Sequence, residues 1–538
     1  MGAAYLAAAF LLPTGTNVPI HDDGIYDWMA ESFSRGHLAY HPASAAAALF
    51  ETIWGGFLLR VFGDNLGALR WGSVLLTLAA GVAVAAAATA LGVTGWWRGI
   101  LTGAFLFNPL GFILSYSFMT DAHAVALGAI ALACWLWSLR RPDIHLPLLA
   151  AGSVTAAMAT ASRQPAIALA VAASLTILVR RPIPRARAVA ALAIVIVPSA
   201  LTMVVDQVWI ASEPAAAQSN FLSVLLDLSL SDLAIFVEQI VALHLVYVVA
   251  MLLPLASSVA LFARPSWRAI SRTRALKLAV FGTVAAAAVT ALPGDRMPWV
   301  PSWFNSWGLG AWDLNGLPAG ILTDRIRLGI TAVICAVAAL GAIVAFDRWP
   351  IPRALGTGEL LCGFLLVTSV LCAVPSSASY ESVVTLDRYL LPAALPAALL
   401  LARALRDRPI RAFIPSVMLC GIATFSITAT HDSLSFHRAI ARLDAIAAAA
   451  GARPQDIDAG PGLTTFRSHD MIGLAPARNP RPTWWTTSIA PAVTAEWIIC
   501  SHPAPGYDIV AIEPYPTILQ TKPSALYLMH QSGFRSDP

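Results

Sequence analysis

The sequence predicts an all-α polytopic membrane protein of about thirteen transmembrane helices, followed by a small C-terminal α/β domain outside the membrane. Three observations predict it. Hydrophobic residues make up 58% of the 538-residue chain and charged residues only 12%, about half the charge of a soluble domain; mean hydropathy is +0.70. Apolar runs of roughly 17 to 25 residues recur, long enough to cross a bilayer. Near residue 430 that pattern stops, and Pro, Gly and polar residues take over.

Taken in order, the spans fall near 1–13, 66–91, 98–118, 122–139, 146–161, 164–180, 188–210, 233–263, 276–292, 326–346, 357–374, 388–403 and 411–430. The first is short for a span and lacks the basic start and cleavage site of a signal peptide. It is a helix clipped by the choice of start codon, or one extended through Pro13. The pair at 146–161 and 164–180 is short enough to be tilted or re-entrant. The loop 14–65 holds two amphipathic stretches, Tyr26–Phe33 and Ala47–Phe62, suited to lie along a membrane surface. The transmembrane part is thus 1–430 and the tail 431–538. The tail starts with a helical pattern, Ser433–Ala450, and later shows short β-like runs at Trp497–Cys500, Ile509–Ile512 and Ala525–Met529.

Alternate connections differ in charge. One set is short and basic: Arg98; Arg140 and Arg141; Arg180, Arg181, Arg185 and Arg187; Arg264 to Lys277; Arg348 and Arg353; Arg403 to Arg411. The other collects acids, among them Asp22, Asp23, Asp121, Asp313 and Asp387. Positive residues stay cytoplasmic, so the acidic loops and the tail are expected on the outer side of the plasma membrane. Loop 293–325 carries Trp299, Trp303, Trp307 and Trp312, either an interfacial aromatic belt or a platform for sugar or lipid chains.

Several classes are excluded or disfavoured. A balance of 34 Lys+Arg against 30 Asp+Glu gives no reason to expect nucleic acid. There is no G-x-G-x-x-G and no P-loop, so soluble nucleotide chemistry is not expected. The six cysteines offer no disulfide framework and no metal spacing, and read as small apolar residues. His431, His437, His469 and His502 also lack ligand spacing and read as surface residues.

Charges beside a bilayer are expensive, so those gathered at helix mouths on one face are functional candidates. His21-Asp22-Asp23 follows the first span; the two acids either form a pair in which one serves as a base, or cap the helix that follows. Asp121 lies at the mouth between two spans and is either functional or a second helix cap. Arg163, isolated in a tight turn, needs an anion or must reach the headgroups. Asp387-Arg388-Tyr389 opens a late span. Guanidinium forks bind phosphate, so Arg163 and Arg388 suit a lipid phosphate, unless Asp387 simply pairs with an arginine nearby.

Read in sequence, HDDGIYDWMAESFSRGH (21–37), FMTDAH (118–123), SRQPA (162–166) and DRYLLP (387–392) resemble motifs of the lipid-dependent glycosyltransferases of the C superfamily. The nearest branch looks like the bacterial relatives of the dolichyl-phosphate-mannose protein mannosyltransferases. The resemblance covers roughly residues 1–405. It departs from the family where the second acid is Asp23, more often Glu, and in having no counterpart to the eukaryotic acceptor-recognition domains, which leaves the acceptor open between glycan, lipid and protein. It implies a polyprenyl-phosphate-linked sugar donor, reached from within the bilayer. It further implies Asp22 as general base, Asp23 tuning it or orienting the loop, and Asp121 positioning the acceptor or assisting the first acid. Arg163, Arg388 and Tyr389 would hold the donor phosphate, and the anomeric centre would invert. No metal site is expected, although Asp22, Asp23 and Asp121 offer hard oxygens to a divalent cation.

Two rivals differ in their sequence demands. A polysaccharide polymerase or ligase would use the basic residues Arg296, Arg325 and Arg327 of a late outer loop. A secondary transporter would need half-chain repeats and broken helices at the midplane, and no such repeat is visible.

Overall fold

The computed structural model describes residues 1–13, 18–44, 46–140, 143–180, 184–212, 229, 231, 246–262, 303–310, 312, 314–315, 321–323, 325–327, 329–335, 337, 355–377, 386–407, 412–471, 474–519 and 524–532. The span expected at 276–292 lies outside these residues, as do parts of those at 233–263 and 326–346. The first helix, α1 (Gly2–Leu11), is followed by α2 (Asp23–Ser34) and α3 (Leu49–Phe62), which are the two amphipathic stretches of the first loop. Next come α4 (Leu66–Ala90), α5 (Gly95–Leu106), α6 (Pro109–Ser115), α7 (Thr120–Leu139), α8 (Leu146–Ser162), a 3₁₀ turn Gln164–Ile167, α9 (Ala168–Val179) and α10 (Arg185–Ser212). Beyond these lie α11 (Leu253–Phe262), α12 (Thr357–Ser377), a 3₁₀ turn Asp387–Leu390, α13 (Leu391–Leu405) and α14 (Phe413–Ala449).

Among the described residues five helices are long and apolar enough to cross a bilayer, or six if a bent pair counts as one span. Four shorter apolar helices accompany them, Leu146–Ser162 and Gln164–Val179 included. Some leave an apolar side uncovered. Val189, Val197, Leu201, Val204 and Val208 on α10 are all more than half exposed. Small residues let the inner helices approach closely: a Cβ on Gly152 of α8 would meet the Trp135 ring of α7 at 2.7 Å.

Two expectations change. The run 98–118 is not one straight span, because α5 and α6 meet at 58°. Pro109 has no N–H to carry the ladder across the break, and Asn108 turns its side chain to the Gly111 N–H at 3.1 Å. The Phe107 carbonyl freed there accepts the Ser426 hydroxyl at 2.9 Å. Secondly, the last span and the first tail helix form one element, α14, of 37 residues. No Gly or Pro interrupts it after Gly421, and at about 1.5 Å per residue it outruns the hydrocarbon core. The 430/431 boundary therefore falls inside a continuous helix.

The tail folds on the C-terminal half of α14. Its sheet has the order β3-β4-β6-β5, from Ile457–Asp458, Trp497–Cys500, Ser524–Gln531 and Tyr507–Tyr515, with β3 and β4 parallel and the other pairs antiparallel. A two-stranded hairpin, β1 (Phe304–Asn305) and β2 (Gly308–Leu309), precedes it in the chain. Trp312 and Leu314, from the tryptophan-rich loop, join Phe436 and Leu443 of α14 and Leu526 and Leu528 of β6 in one apolar cluster. Trp303 and Trp312 are thus buried inside the protein. For those two the structure shows neither an interfacial belt nor an open platform, because Trp312 packs with the tail and Trp303 lies in the cluster of the first loop and the membrane helices; Trp299 lies outside the described residues. His437 is likewise buried at the α14 interface and not on the surface. All six cysteines are free, with Cys420 exposed and Cys362 and Cys500 buried.

Candidate active site

Four separated pieces of sequence converge at one end of the helices. Asp22 is the N-cap residue of α2, yet its side chain makes no cap bond. It turns instead to His21, at 2.7 Å, and to Arg388, whose Nη2 donates to Oδ2 at 3.3 Å. Arg388 is 4% exposed and also places Nε 3.5 Å from Asp121 Oδ2. Asp121 takes a second cation on its other oxygen, from Arg163 Nη1. Arg163 in turn lies over the Tyr389 ring, 4.3 Å from its centre, a geometry that stabilises a guanidinium. The result is a chain of alternating charge, Asp22–Arg388–Asp121–Arg163, drawn from α2, the 3₁₀ turn before α13, α7 and the turn after α8.

Local structure explains each placement. Arg163 is the residue at which α8 ends and the 3₁₀ turn begins, held extended before Gln164-Pro165. Arg388 sits in the turn Asp387–Leu390, and Asp387 anchors that turn by accepting the Phe304 N–H at 2.6 Å. The alternative in which Asp387 simply pairs with an arginine is therefore replaced: Arg388 points to Asp22 and Asp121, and Asp387 holds the β1–β2 hairpin. Asp121 lies in the first turn of α7, whose cap residue is Met119.

Asp23 goes elsewhere. It is fully buried, pairs with Arg70 Nη2 at 3.0 Å and accepts the Ile20 N–H. Arg70 is itself fully buried in α4 and donates to the Val18 carbonyl. This pair fixes the turn from which Asp22 projects. Asp23 thus faces Arg70 while Asp22 and Asp121 share Arg388, and among the described residues no three His, Cys, Asp or Glu side chains are grouped as a metal site requires.

Behind Asp121 lies a polar layer that sequence reading passed over. Glu51 of α3, fully buried, accepts from the Ser162 hydroxyl and lies 3.0 Å from His123 Nδ1; His123 Nε2 meets the Ser73 hydroxyl at 2.9 Å. Ser162 also donates to the Thr120 carbonyl at 3.0 Å. This layer ties α3, α4, α7 and α8 together directly under Asp121 and Arg163. The signals were available: Glu51 is the lone acid in an apolar helix, and Arg70 the lone charge in an apolar span.

A cavity of about 60 Å³ opens from this cluster between α7, α9, α12 and α13. Its polar end is Asp121, Arg163, Arg388 and Tyr389; the rest is apolar, including Val125, Leu169, Leu365 and Leu395. Burial alone would raise the Asp22 carboxyl, but the charges of His21 and Arg388, and their hydrogen bonds, hold it below the usual carboxylate range. Asp22 is therefore ionised at neutral pH.

The tail closes one side. A Cβ on Gly24 would meet Pro19 at 2.8 Å and Phe466, from α15 (Gly460–Arg467), at 2.9 Å. Arg467 grips Asp444 of α14 with two bonds of 2.5 and 2.6 Å. The loop bearing Asp22 is thus packed between α4 and the tail.

No protein-family model matches the chain, and no curated protein matches it. Among solved structures it is similar to ArnT from Cupriavidus metallidurans in the apo state, at 15% identity over 98% of this chain and 97% of that one, with a TM-score of 0.44. It is also similar to the same protein bound to undecaprenyl phosphate, at 14% identity over 99% and 97%, with a TM-score of 0.40.

Proposed function

We propose that this chain is a membrane glycosyltransferase that takes a sugar from a polyprenyl-phosphate donor and passes it to an acceptor hydroxyl on the outer face of the plasma membrane. One observation carries the reading: two arginines from distant segments, Arg163 and Arg388, stand at the mouth of an apolar cleft, with a carboxylate, Asp22, on the far side of Arg388. A phosphate bearing a long apolar chain fits that division, its charge at the guanidinium forks and its chain along α7, α9, α12 and α13. Asp121 and Asp22 answer the same arginine charges that a phosphate would meet.

In the reaction, Asp22 accepts the proton of the acceptor hydroxyl as that oxygen attacks the anomeric carbon. The bond from the anomeric carbon to the phosphate oxygen breaks, and its electron pair leaves with the phosphate. Arg163 and Arg388 stabilise the charge gathering there, Asp121 orients both, and attack opposite the leaving group inverts the anomeric centre. Asp23, locked to Arg70, keeps the loop in place. The test is transfer from lipid-linked sugar in membranes carrying Asp22→Asn. Removing a general base lowers turnover by about 10²–10⁴-fold, while melting stays near wild type; wild-type transfer by that variant ends the assignment.

A further inference from the structure

At the other end of the same four helices lies a second basic cavity, of about 330 Å³, inside the range of roughly 300–1,000 Å³ typical of ligand pockets. Arg140 at the end of α7, Arg180 at the end of α9 and Arg403 near the end of α13 line it, with Thr357, Gly358 and Glu359 from the first turn of α12. We infer that this cavity binds a phosphate group at the face opposite the Asp22 cluster, as a lipid headgroup or as a free ion.

Charge, shape and position each contribute. Arg403 Nε pairs with Glu359 Oε1 at 2.8 Å; with Asp143 also acting on Arg180, the three arginines of the wall face two carboxylates and leave it net positive. The start of α12 adds backbone N–H groups and the positive end of its dipole to the same wall. Gly358 lets that helix start approach closely, since a Cβ there would meet Leu91 at 2.5 Å and Leu136 at 3.2 Å. From Asp121 to Arg140 along α7 the rise is about 28 Å at 1.5 Å per residue, close to the roughly 30 Å hydrocarbon thickness. A headgroup in the opposite leaflet therefore sits level with this cavity. Scattered arginines that merely follow the charge bias of membrane loops need no shared concavity.

The test uses the full chain in phosphatidylcholine nanodiscs and follows modification of individual arginines by phenylglyoxal, mapped by peptide mass spectrometry. One arm adds phosphatidylglycerol to the disc; the other adds inorganic phosphate, against chloride at equal ionic strength. Charge-assisted hydrogen bonds to a bound phosphate slow modification of Arg140 and Arg180 by about tenfold, while Arg98, outside the cavity, changes little. Protection in the lipid arm alone identifies a headgroup; protection in the phosphate arm identifies the free ion. In the Arg140→Gln/Arg180→Gln variant, still able to melt cooperatively, the protecting probe no longer slows modification of Arg403, the remaining arginine of the cavity. Protection in neither arm, or equal slowing at Arg98, overturns the inference.

Discussion

Replacing Arg388 by Gln separates the structural from the chemical work of the charge chain. Arg388 is nearly buried and stands 3.3 Å from Asp22 and 3.5 Å from Asp121. Removing its charge leaves Asp22 with His21 alone and Asp121 with Arg163 alone. Loss of one partner from a buried pair costs about 3–5 kcal/mol, which a thermal melt of the purified protein reads directly. The catalytic loss is of similar size. A guanidinium about 4 Å from a departing phosphate contributes about 4 kcal/mol at an effective dielectric near 20, or about 10³ in rate. Adding Asp121→Asn to Arg388→Gln leaves one acid, Asp22, against one arginine, Arg163, and so restores the charge balance of the cluster; the double variant recovers part of the melting temperature without recovering transfer. Arg388→Lys keeps a charge but not a fork that reaches both carboxylates, and falls between. Measured with labelled lipid-linked sugar in membranes, wild-type turnover by Arg388→Gln refutes the reasoning outright. Recovery of transfer in the double variant refutes it too, because loss would then have come only from misfolding.

Three further outcomes are expected. Burial, then the charges of Asp23, Asp64 and Glu31, pushes the Asp27 carboxyl up to about 8; the folded state thus holds a proton that the unfolded chain releases near pH 4, and stability falls as pH rises from about 4 to 8. Asp27→Asn flattens that decline in melts across the window, and an unchanged slope counts against it. Gly24→Ala forces a methyl group between Pro19 and Phe466, costs about 1–3 kcal/mol as overpacking does, and lowers transfer by displacing the Asp22 loop. Unchanged melting and turnover would show that the tail does not press on that loop. Glu51→Ala strands the Ser162 hydroxyl and His123 and lowers stability by about 1–3 kcal/mol or more, whereas the exposed Arg98→Gln, on the opposite face, shifts the melt by no more than an ordinary surface change.

Much of this protein was legible before any coordinates. Apolar runs marked helices such as Leu66–Ala90, Thr120–Leu139 and Arg185–Ser212 because span length follows directly from bilayer thickness. The amphipathic stretches became α2 and α3, and the β-like runs of the tail became strands β4, β5 and β6. Asp22, Asp121, Arg163 and Arg388 stood out because a charge beside apolar sequence is costly enough to need a reason.

What sequence could not supply was pairing. Asp22 and Asp23 are adjacent and chemically alike, yet one faces Arg388 and the other Arg70, since successive side chains entering a helix point about 100° apart and meet different neighbours. Residue 430 looked like a boundary by composition, but a helix ends where its hydrogen bonds are broken, and nothing between Gly421 and Ala449 breaks them. Nor does sequence disclose that Trp303 and Trp312 are buried, or that Glu51 lies under Asp121. Local pattern determined which residues form helices and which charges are exceptional; long-range packing alone decided which of those charges meet, because contact between residues some 366 positions apart, as for Asp22 and Arg388, leaves no trace in the chemistry of either segment.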